Sequence, residues 1–81
     1  MKLPIELPEG WATEPYDEHC IVLVAPQRAG YVTVNWVERS FAHGIGRPPR
    51  TVIGVDIYRG RGWQAQLFNA AVESLTKVLN G

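Results

Sequence analysis

Eighty-one residues with 46% apolar content and no formal net charge exclude a second domain, wholesale disorder and a uniformly basic coat for nucleic acid. One cysteine excludes an intrachain disulfide, and no apolar run reaches the ~18 residues of a membrane span. With a beginning that is unlike a signal peptide, these features predict a cytoplasmic chain that does not enter the membrane.

Charge is balanced in sum but not in place. Residues 1–20 carry Glu6, Glu9, Glu14, Asp17 and Glu18 against Lys2, while residues 28–61 carry Arg28, Arg39, Arg47, Arg50, Arg59 and Arg61 against Glu38 and Asp56. Acidic and basic surfaces lying side by side are the commoner outcome of such a split. The sharper reading is a basic face for an anionic partner, and arginine suits bidentate contacts to phosphate or carboxylate.

Residues 1–19 read as an irregular arm in front of a single domain over residues 20–81. Pro4, Pro8 and Pro15 oppose a helix, Leu3, Ile5 and Leu7 alternate as a short edge strand would, and Trp11 and Tyr16 are expected to pin the arm to the domain. Cys20 to Ala25 is a continuous apolar run closed by Pro26, the pattern of a buried strand. A turn over residues 26–30 leads into Tyr31 to Val37, where Val32, Val34 and Trp36 share one face and Tyr31, Thr33, Asn35 and Val37 the other. These two runs predict a hairpin. A turn at Glu38-Arg39 and a short strand over Ser40 to His43 follow, then a loop from Gly44 to Pro49 and a strand from Thr51 to Tyr58.

Near Trp63 the hydrophobic period changes from two to 3.6. Leu67, Phe68, Ala71, Val72, Leu75, Val78 and Leu79 fall within about 140° of helical arc, with Glu73 and Lys77 set for an i,i+4 ion pair on the far side. The expectation is an α+β fold: a three- to four-stranded antiparallel sheet followed by one C-terminal helix packed on one face.

Gly30-Tyr31-Val32-Thr33-Val34, Arg39-Ser40-Phe41, Tyr58-Arg59-Gly60-Arg61-Gly62-Trp63 and Ala71-Val72-Glu73-Ser74-Leu75 together resemble small uncharacterised proteins of proteobacterial phages and prophages. The likeness spans roughly residues 30–79, and the Gly-Arg-Gly-Trp piece is its distinctive part. The Gly44 to Pro49 loop is longer than that pattern has. The resemblance implies a compact accessory protein and no particular activity. The βββα order is also similar to the second half of a double-stranded-RNA-binding domain without its first helix, a likeness at the level of fold.

Arg59 and Arg61 stand before the helix, whose first N–H groups, with Gly62 ahead of them, can hold an anion. The same residues serve equally as a glycine-mediated corner with solvated arginines. Arg47 and Arg50 bracket Pro48-Pro49, and convergence with Arg59 and Arg61 would make a nucleic-acid contact. Tyr31 and Tyr58 fall on outward strand faces and form a candidate contact face. Asp17, Glu18, His19, Cys20 and His43 have no metal-ligand spacing, and Cys20 with His43 lacks an oxyanion motif. No metal, cofactor or catalytic residue is expected. The leading expectation is a non-catalytic interaction protein for an unidentified protein partner, with a homodimer through open sheet edges compatible with it. A nucleic-acid-binding module using Arg47, Arg50, Arg59 and Arg61 is the alternative.

Overall fold

The computed structural model describes residues 2–44, 50–52 and 60–80. Five strands, β1 (Ala12–Asp17), β2 (Cys20–Val24), β3 (Tyr31–Asn35), β4 (Ser40–Gly44) and β5 (Arg50–Val52), form one antiparallel sheet in chain order, and helix α1 (Trp63–Asn80) follows. The α+β architecture is the expected one. The strands expected from residue 20 onward appear as β2 to β5; residues 53–58 of the last, residues 45–49 of the loop, and with them Arg47, Arg59 and Tyr58, lie outside the described residues.

The strand count rises by one because Ala12–Asp17, inside the stretch expected to be irregular, pairs with β2. Pro15 opposes a helix but not this strand, because β1 lies at the sheet edge, where proline is tolerated. The register shifts between Pro15 and Asp17, a bulge that absorbs the remaining misfit. Asp17 then closes the β1–β2 hairpin by accepting the His19 N–H at 2.7 Å.

Alternation along each strand divides the sheet into two faces. Leu23 opposite Val32, and Val34 opposite Phe41, place the buried side chains on the inner face with Leu67, Phe68, Ala71 and Leu75 of α1. Six of these (Leu23, Val32, Val34, Leu67, Phe68 and Leu75) are fully buried, each contributing roughly 1.5–3 kcal/mol of hydrophobic stabilisation against chain entropy. Val78, assigned to the helix stripe, is 48% exposed. Leu79, in the same last turn, packs half-buried against the core.

Helix α1 packs against β3 and β4. On the β2 side the layer is completed by Leu3, Ile5, Leu7 and Trp11, all half-buried against the core. The odd-numbered apolar residues of the arm face inward as their alternation requires, yet they form no strand. The arm turns into β1 through Pro8-Glu9-Gly10-Trp11, with the Trp11 N–H on the Pro8 carbonyl at 3.2 Å and Gly10 at φ +87°. A β-turn with positive φ at its third residue selects glycine.

Two hydrogen-bonded or charge contacts tie the layers together. His43, buried on β4, places Nε2 2.8 Å from the Ser74 hydroxyl on α1. The Arg39 guanidinium lies 4.1 Å from the centre of the Trp63 ring at the helix start.

Gly10→Ala would meet both a left-handed φ and a Pro26 Cγ only 3.0 Å from the new Cβ, whereas Gly62, at φ +75°, opens onto free space. In dilute solution Gly10→Ala should therefore destabilise by about 2–3 kcal/mol and Gly62→Ala by about 1 kcal/mol, read by urea denaturation. Equal losses would place the cost in φ alone. Ser74→Ala should cost about 1–2 kcal/mol by leaving His43 unpartnered, and His43→Phe added to it should recover part of the loss in the same assay.

Candidate functional site

The outer face of the sheet carries the candidate site. The cross-strand register sets Glu14, Val22, Thr33 and Ala42 in one row and Ala12, Val24 and Tyr31 in the next. Short aliphatic and hydroxyl side chains in the middle of these rows leave a low floor, and the tyrosines rise at its margins. The result is a groove of about 280 Å³ lined by Glu14, Tyr16, Val22, Val24, Arg28, Gly30, Tyr31 and Thr33.

The turn between β2 and β3 closes one end. The Ala25 N–H donates to the Gly30 carbonyl at 2.9 Å, and a short 3₁₀ turn spans Pro26–Arg28. Gln27 and Arg28 both take positive φ, 59° and 54°, where a Cβ is disfavoured. That conformation lays Arg28 back over the sheet, and its Nη1 donates to Glu14 Oε2 at 2.6 Å. This hydrogen bond, then the carboxylate charge, pushes the Arg28 pKa up.

Tyr31 is where the sequence puts it, on the outer face and 39% exposed. Tyr16, expected to pin the arm, is instead 66% exposed and stands on the same groove. Two residues on from Glu14, Tyr16 shares the outer face that Ala12 and Glu14 occupy. Glu14 and Arg28 were not singled out by any motif; their signal is spatial, an acid on an edge strand facing a hairpin turn two strands of chain away.

The arginine cluster divides differently. Arg61 is exposed in the turn before α1, between Gly60 and Gly62, both at φ +75°. The Gln66 N–H donates to the Gly62 carbonyl at 3.1 Å, which starts the helix. Lys2 and Pro4 of the arm lie beside Gly62. Arg50 occupies the β5 position opposite His43. The glycines thus act as the corner that φ > 0 requires, and Arg50, by its strand position, and Arg61 with Gly62 are the parts of the cluster within the described residues.

Cys20 and His43 lie on opposite faces of the sheet, since the register carries His43 to Val32 and Leu23, three residues from Cys20. They cannot act as a nucleophile and base. Burial, then a hydrogen bond with Asp17, pushes the Cys20 thiol up to about 11. Asp17 is held below its ordinary value, chiefly by the His19 N–H. Among the described residues no group of three His, Cys, Asp or Glu is placed to hold a metal ion, and no helix is long and apolar enough to cross a membrane. The chain matches no protein-family model, no curated protein and no solved structure.

Two consequences of the raised thiol pKa can be measured. Iodoacetamide at pH 8 should label Cys20 slowly in the folded chain and rapidly in urea; equal rates would refute the buried, neutral thiol. The unfolded thiol ionises near 9.0 and the folded one near 11, so the contribution to stability is complete below pH 9 and is lost as pH rises to about 11. Urea midpoints should fall over that window, and Cys20→Ser should flatten the fall.

Proposed function

We propose that this chain is a non-catalytic interaction protein of the cytoplasm that engages a protein partner through the outer face of its sheet. The observation that carries the reading is the pairing of two exposed tyrosines, Tyr16 and Tyr31, around a groove whose one charged pair is already internally neutralised. Tyrosine offers a large amphipathic contact at low entropic cost, and aromatic side chains are enriched in protein interfaces. The Glu14–Arg28 ion pair supplies a polar rim and leaves no excess positive charge over the groove to attract a polyanion.

The β1 edge is a poorer candidate than the outer face. Pro15 brings no N–H to the outer side of β1, and the bulge interrupts the ladder there, both of which blunt strand addition. The resemblance of residues 30–79 to small phage and prophage proteins fits an accessory role of this kind. The nucleic-acid reading rests, within the described residues, on Arg50 in β5 and on Arg61 and Gly62 at the start of α1.

The test is capture with the full chain and with Tyr16→Ala/Tyr31→Ala, followed by calorimetry on the partner recovered. Neither side chain belongs to the buried core, so the variant should stay folded, with its melting temperature measured alongside. Binding should weaken by roughly tenfold or more, with little salt dependence. Unchanged affinity would overturn the proposal. Retention on nucleic acid alone, falling steeply with salt and lost on Arg61→Ala, would replace it with the alternative.

A further inference from the structure

The arm over residues 2–8 is bound to the fold in an unusual way. Leu3, Ile5 and Leu7 sink against the core while Lys2, Pro4, Glu6 and Pro8 stay exposed. Among the described residues no backbone hydrogen bond joins residues 2–7 to the rest of the chain; the first is from Trp11 to Pro8, inside the turn. The arm is held by three apolar side chains. Pro4 and Pro8 keep it extended when free, so little order is lost on docking. It runs from Gly10, whose nearest neighbour is Pro26 at the hairpin end, to Lys2 and Pro4 beside the first turn of α1, a path within the ~26 Å that eight extended residues span.

One turn decides which core the arm covers. Pro8 to Trp11 folds it back onto its own molecule, and that turn needs Gly10 at φ +87° against Pro26. If the turn opens, the arm projects from the edge strand β1, and the inner layer beside β2 is left uncovered. The segment that fits this strip is already known from the molecule itself: Leu3, Ile5 and Leu7 in an extended backbone. A second copy offers an identical strip and an identical arm, so reciprocal docking restores every apolar contact and closes a two-fold dimer.

We propose that residues 2–8 are an exchangeable arm, able to leave its own inner layer and dock in the same strip of a second copy of this chain, with Pro8–Trp11 as the hinge. This dimer uses the inner layer, and neither the sheet edges nor the outer-face groove forms its contact.

Gly10→Val strains the closed turn. It should shift the chain from monomer to a concentration-dependent dimer in sedimentation, while circular dichroism keeps the α+β signature. Adding Ile5→Glu, which spoils the docking residue, should return the folded chain to monomer. A folded Gly10→Val chain that stays monomeric at millimolar concentration overturns the proposal, as does a dimer that survives Ile5→Glu. A second measurement stands whether or not Gly10→Val folds. A synthetic peptide of residues 1–10 should raise the melting temperature of full-length Ile5→Ser saturably, because its own arm holds the strip weakly. The same peptide with serine at position 5 should not. A peptide without effect shows that the strip does not accept the arm in trans, and sinks the idea.

Discussion

A single α-helix is about 10 Å across, and five strands about 4.8 Å apart spread over about 20 Å. One helix therefore cannot cover one face of this sheet. Helix α1 covers β3 and β4, and the inward side chains of β2, above all the fully buried Leu23, need another lid. The arm supplies it. Much of the fold follows from this shortage: the alternation of Leu3, Ile5 and Leu7, the glycine turn that folds them back, and the packing of Trp11, Trp36 and Trp63 at the borders of the core.

Among the described residues the one helix lies on the inner face and none lies on the outer. The outer face must then tolerate water, and it does so with Glu14, Thr33 and the tyrosine hydroxyls around a few aliphatic residues. Tolerance does not require two adjacent non-glycine residues at positive φ, as at Gln27 and Arg28, nor an exposed Tyr16 at a bulge.

Periodicity made most of the framework legible. Val32, Val34 and Tyr31 divide between the faces as a period of two demands, and the helix from Trp63 follows its apolar stripe, Val78 excepted. What escaped were effects that depend on place in the fold. Pro15 argues against a strand anywhere except at an edge, and only the assembled sheet says where the edge is. Tyr16 was expected to pin an irregular arm; once Ala12–Asp17 is a strand, alternation from Glu14 puts it on the outer face instead. His43 was weighed with Cys20, its partner in chemistry, whereas the fold gives it Ser74, 31 positions away. Glycines at 60 and 62 were legible as a corner, since φ is a local property; whether four arginines converge around that corner is a long-range property that no local pattern encodes.

The two surfaces of the molecule are separable because the sheet stands between them. The arm docks on the inner layer and the tyrosine groove lies on the outer one, so occupancy of one leaves the other sterically free. Their thermodynamic relation is still not neutral. Gly10 touches Pro26, the first residue of the turn that carries Gln27 and Arg28. Opening the arm's hinge removes that contact from the turn that holds Arg28 over Glu14, so the geometry at the closed end of the groove depends in part on where the arm is docked. An arm-exchanged pair would also present two outer faces on one body, and two linked sites raise the local concentration of the second for any partner long enough to reach both. The arm that completes the core is thus positioned to influence both the shape and the number of the outer-face groove.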